Sequence, residues 1–107
     1  MELINKSVVI IRPKREFIKW ANSYSHDGSK YDAEYFKNHS FIILIPGCDI
    51  DIMARRHVNA LWDDIFKEAL KWGNDHEATW PRNLTRKMFW QWFDMEFQSM
   101  VFDSVED

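Results

Sequence analysis

Between Asp51 and Trp72 the apolar positions Val58, Leu61, Trp62, Ile65, Phe66, Ala69 and Trp72 recur at steps of three and four. That spacing lays one broad apolar stripe along an α-helix. The opposite positions, Arg56, Ala60, Asp63, Lys67 and Lys71, belong in water. Asp49 or Asp51 can cap the start through a side-chain oxygen, and Gly73-Asn74 can close the end in a left-handed turn. A helix with two tryptophans and a phenylalanine on one face needs a sheet or other helices to cover it. It is expected to be the spine of one small core.

The rest of the pattern surrounds that spine. Ser7–Arg12 (SVVIIR) is a β-branched run of strand length, and Pro13 suits the first turn of a following helix. Phe17, Trp20, Ala21 and Tyr24 mark one face of a helix over Lys14–Tyr24. Ser25–Lys30 is a loop by composition, and Tyr31–Asn38 fits a short helix burying Tyr35 and Phe36. Ser40–Ile45 (SFIILI) is a second strand, ended by Pro46-Gly47. Neither strand alternates, which is the habit of strands covered on both faces or central in their sheet. The 27 residues between Arg12 and Ser40 leave room for a helical crossover, so the pair is expected to be parallel and right-handed. Beyond the long helix, Asn74–Arg82 is a polar loop interrupted by Trp80-Pro81. Asn83 or Thr85 can cap a third helix burying Leu84, Met88, Phe89, Trp92 and Phe93. Phe97–Asp103 mixes polar and apolar positions, as an edge strand does, and the acidic Ser104–Asp107 is expected to fray. The expected architecture is one α+β domain over residues 1–107. It has a small, three-stranded mixed sheet with three to four helices packed mainly on one face.

Composition changes this picture at one point. A chain of 107 residues buries roughly two-thirds of its unfolded surface, enough to fold alone. Six Trp, eight Phe and three Tyr, however, exceed what the helix faces require. Large rings fill a small core efficiently, and a surplus of them also suits a partner surface. The net charge is −3 and no run of Lys or Arg exceeds two, so a nucleic-acid footprint is absent. Cys48 stands alone, which fits a reducing compartment. Neither a signal peptide nor a membrane span fits the pattern, so the expected setting is cytoplasmic.

Candidate chemistry is sparse. Arg12 and Lys14 flank Pro13 where the first strand feeds a helix, a place where two cations could hold a carboxylate or phosphate. No glycine-rich loop accompanies them. Asp64 and Glu68 lie one helical turn apart, with His57 two turns before Asp64, but no metal motif frames them. Cys48 lies after Pro46-Gly47, close to the start of the long helix, with no frame of catalytic residues around it. Trp80 lies in a polar loop, and Trp90 points about 100° away from Phe89. These two are candidate partner-binding residues. His26, His39 and His76 read as surface residues. No catalytic residue, metal ligand or cofactor is assigned.

Val8–Trp20 (VVIIRPKREFIKW), the long helix's FKEALKW, and Trp80–Asp103 (WPRNLTRKMFWQWFDMEFQSMVFD) together resemble a group of small bacterial proteins without an assigned activity. The resembling segments keep the same order along the chain, and imply a small bacterial cytosolic domain. They imply no substrate or site residue. The functional expectation is a non-enzymatic interaction or regulatory module that binds a protein partner or itself as a homodimer. The alternative is a binder of an anionic small molecule, or a small enzyme, with its site at Arg12 and Lys14.

Overall fold

The structure is a computed structural model and describes residues 1–24 and 30–105. Residues 25–29 of the loop expected over Ser25–Lys30, with His26, and the end of the acidic tail at 106–107 lie outside the described residues. The fold is α+β. Its central strand is β2 (Lys6–Pro13), which follows the short β1 (Glu2–Ile4). β2 pairs on one side with β3 (Phe41–Pro46) and on the other with β4 (Phe93–Gln98), giving a three-stranded sheet in the order β3-β2-β4. A separate ribbon joins β1 to β5 (Val101–Asp103). The run expected as one last strand is therefore divided between β4 and β5, either side of Ser99-Met100.

Every pairing is antiparallel, so the sheet is not mixed and the expected parallel crossover does not form. Val9 faces Ile43 and Ile11 faces Phe41 in one ladder; Val9 faces Phe97 and Ile11 faces Met95 in the other. The connection from β2 to β3 explains this. It contains two short helices, α1 (Arg15–Ser23) and α2 (Ala33–Phe36), rather than one helix spanning the sheet. They fold the chain back against the inner face, and β3 returns beside β2 in the opposite direction. Pro13 closes β2 and is not in the helix; Lys14 takes the N-cap position.

Cover is also one-sided. Ser7, Val9, Ile11, Ile45 and Phe93 point inward and are buried. Their alternates point away from the helices, and on β3 those alternates are Ile42, 65% exposed, and Leu44, 57% exposed. The unbroken apolar runs thus conceal an ordinary inside-outside alternation, because the outer positions are apolar too.

α3 (Asp51–Gly73) is the spine, burying Ala54, Val58, Ile65, Phe66, Ala69 and Leu70. Its ends differ from expectation. The N-cap is Ile50 with no side-chain bond, and Asp51 instead pairs with Arg55 at 3.5 Å within the first turns. Packing along 23 residues, not capping, sustains the helix. At the other end Asn74 is extended (φ −163°), so no left-handed turn closes it. Gly73 serves a close approach: a Cβ there would come within 2.5 Å of the Trp20 ring. A 3-10 turn (Glu77–Thr79) follows, then α4 (Arg86–Trp92). Thr85 caps α4 by accepting from the Met88 N–H at 3.1 Å, while Asn83 takes the left-handed conformation (φ 57°). α4 passes straight into β4, with Phe93 both the C-cap and the first strand residue.

Most of the aromatic surplus lies between these layers. The Phe17 ring is enclosed by Trp20, Phe36, Phe41, Trp72, Trp92 and Phe93, with centroids 5.2–6.5 Å away. Several of these pairs are edge-on, the arrangement aromatic quadrupoles favour. Trp72, at the helix margin, keeps 43% of its surface in water.

Candidate functional site

The sheet's two outer strands are unlike each other. β4 presents Asp94, Glu96 and Gln98 on its outer positions, charged or polar groups that discourage another chain from pairing there. β3 has no charged residue anywhere in FIILIP, and among the described residues no strand pairs with its free side. Beside it runs a groove of about 560 Å³ between β3 and α3, lined by Phe41, Ile43, Leu61, Ile65 and Ala69. Leu61 is 36% exposed there. Two carboxylates, Asp64 and Glu68, stand on the helix wall of the groove, and no Lys or Arg lines it. Neither makes an ion pair with a described residue within 4 Å. On the solvent side of the same helix, by contrast, Asp63 is paired with Lys67 at 2.8 Å. That hydrogen bond, with the carboxylate's charge, holds the Lys67 ammonium above its ordinary pKa of 10.5.

A second depression, about 750 Å³ and open, lies between α1 and the Lys30–Ala33 segment. Lys14, Arg15, Lys19 and Lys30 line it, together with Asp32, Asp94, Ile18 and Tyr31. Lys14 thus belongs to a cationic cleft, but Arg12 does not line it. Arg12 projects from β2 towards β4 and approaches Glu96 at 3.4 Å, while the Lys14 ammonium lies 4.0 Å from Asp94 and donates to the Trp90 carbonyl at 3.3 Å. Each cation thus approaches its own β4 carboxylate, Arg12 that of Glu96 and Lys14 that of Asp94. Sequence spacing alone could not reveal that.

The two tryptophans marked as partner anchors are half-buried, and each indole N–H has an internal acceptor. Trp80 donates to the Asn74 carbonyl at 2.7 Å and packs against the core from its loop. Trp90 donates to the Asn59 side chain at 2.7 Å, and the Arg55 guanidinium lies over its ring at 5.1 Å. What either ring leaves for a partner is apolar surface. Cys48 is half-buried, its backbone tied to Ser7. His39 stacks on Tyr35 with centroids 4.2 Å apart. Among the described residues, no three His, Cys, Asp or Glu side chains converge as a metal site. Among the described residues no helix is long and apolar enough to cross a membrane.

The groove and edge escaped the sequence reading. The available signal was SFIILI itself, whose even and odd positions are both apolar with no charge to guard them. Compared with family profiles, curated proteins and solved structures, the chain matches none of them.

Proposed function

We propose that this chain is a non-enzymatic interaction module, acting in a bacterial cytosol, that recognises a protein through β3. One observation carries the reading: β3 is an unguarded edge with exposed Ile42 and Leu44, whereas the opposite edge carries acidic residues. Large apolar groups on a free sheet edge are a liability unless something covers them. The resemblance of Val8–Trp20 and Trp80–Asp103 to small bacterial proteins supports the setting. Selection of displayed random peptides on the intact chain tests the reading, with the Ile42→Lys/Leu44→Lys double variant as the counter-target. Enriched peptides that hold the parent and lose the variant support it. No enrichment, or equal binding to both, overturns it.

The cationic cleft favours a second reading, an anionic ligand held by Lys14 with Arg15, Lys19 and Lys30. A panel of phosphate- and carboxylate-bearing metabolites should then raise the thermal midpoint by several degrees, because a ligand at a hundred times its Kd adds about 2.7 kcal/mol. Lys14→Ala should remove the shift. A flat panel sets this reading aside.

A further inference from the structure

We infer that β3 and the adjoining groove accept one extended peptide segment as an added strand, alternating apolar residues with lysine or arginine. The inference rests on the proposed role of β3 and names its partner class. An added strand beside β3 gains main-chain hydrogen bonds along its length, and its side chains fall alternately on the two sides of the sheet. On the inner side the lysines or arginines lay their aliphatic stems along the groove of Phe41, Ile43, Leu61, Ile65 and Ala69 and carry their charges to Asp64 and Glu68 on its helix wall. On the outer side the apolar residues extend the row of Ile42 and Leu44. A segment of about six residues, about 20 Å long, matches the six residues of β3.

Charge decides between occupants. Asp64 and Glu68 stand one turn apart on the helix wall, a spacing at which like charges destabilise each other. A cationic side chain from the added strand relieves that repulsion. A second copy of this chain, joined edge to edge about a two-fold axis, brings an identical acidic wall beside the first and adds to it. Lys67, Lys71 and Arg82 line the neighbouring hollow, which shares Glu68 but not Asp64. Asp64, outside that hollow, is the probe, and its charge also reaches Lys67.

The test is titration of the intact, isotopically labelled chain with a pool of blocked hexapeptides alternating Val, Ile or Leu with Lys or Arg. Backbone amide resonances are the readout. Saturable shifts confined to Phe41–Pro46 and the Leu61–Ala69 wall are expected. Replacing the cations by glutamate should weaken binding at least about tenfold, and Asp64→Asn about threefold at low salt, with both effects shrinking at about 1 M salt. Methylating alternate peptide nitrogens should abolish binding in one phase and spare it in the other, because only every second N–H faces β3. Equal tolerance of both methylation phases, with binding still lost in Ile42→Lys/Leu44→Lys, overturns strand addition and leaves the interaction module standing. Absence of saturable shifts overturns the inference, and the display selection judges the module independently. A β3-mediated dimer that the peptides do not displace assigns the edge to a second copy and also overturns it.

Discussion

The hydroxyl of Ser7 holds together three parts of the chain distant in sequence. It is the only buried polar side chain among the described residues. Its oxygen accepts from the Cys48 N–H at 3.0 Å, and its proton has the carbonyls of Ser99 (2.9 Å) and Cys48 (3.1 Å) as acceptors. Ser7→Ala removes one side of each bond and leaves the partner groups part-buried and unpaired there. The expected cost is about 1–3 kcal/mol, read as a lower urea midpoint at unchanged slope. Gly73 makes the complementary demand, for absence. Gly73→Ala drives a methyl into the Trp20 ring, and overpacking of this kind costs about 1–3 kcal/mol by the same measurement. Neither role was legible beforehand. The Ser7 partners lie 41 and 92 residues away, and Gly73 read as a turn former because nothing in the string places Trp20 against it.

Among the elements, helices were read better than strands, and the reason is physical. α3 shows its stripe because its buried and solvent faces differ in polarity, and Thr85 announces α4 as a capping residue. Thr85→Ala should cost about 1 kcal/mol, with Thr85→Ser close to the parent, in thermal or urea unfolding. The strands β2 and β3 hid their alternation because Val8, Ile10, Ile42 and Leu44 occupy outer positions where polar residues usually stand. Unbroken runs of that kind suit a covered face or a central strand, and only β2 is central. Since Ile42 and Leu44 are mostly exposed, changing both to lysine should leave stability within about 0.5 kcal/mol per site. The same change should reduce light scattering on prolonged storage, because a charged edge resists strand pairing. A large loss of stability would mean that these side chains are packed after all. Trp90 stands apart from the buried stripe of its helix; the string could not say that Asn59 and Arg55 from α3 meet it there.

For the whole molecule, the class and the one-sided helical layer followed from the pattern, while strand direction and the closing of the ends did not. Direction depended on whether two short helices crossed the sheet or turned back. The β1–β5 ribbon depended on pairing between residues about a hundred positions apart, as Glu2 with Asp103. Three-residue strands give little periodicity to detect. This arrangement predicts a gradient of local stability under hydrogen exchange. Amides of β2 around Val9 and Ile11, central in the sheet and fully buried, should exchange only by global unfolding. Those of Leu3 and Phe102 in the ribbon should open earlier, and equal protection in both places would contradict the assignment of a separate peripheral ribbon. The candidate site needed both sheet order and helix placement before it existed at all. Arg12 and Lys14 could be named from the string; the groove between β3 and α3 could not.

The direct passage from α4 into β4 has a consequence for how the chain can vary in length. Phe93 ends the helix and begins the strand with no loop residue between. Side chains on a strand alternate, so one added residue at this junction would turn β4 over. Asp94 and Glu96 would then face the aromatic core, and Phe93, Met95 and Phe97 would face water. One deleted residue would do the same. Exposed loops elsewhere can absorb insertions by bulging outward, but this joint has no slack to bulge with. Between Trp92 and Phe93 a substitution leaves the register of β4 as it is, whereas a residue gained or lost inverts it.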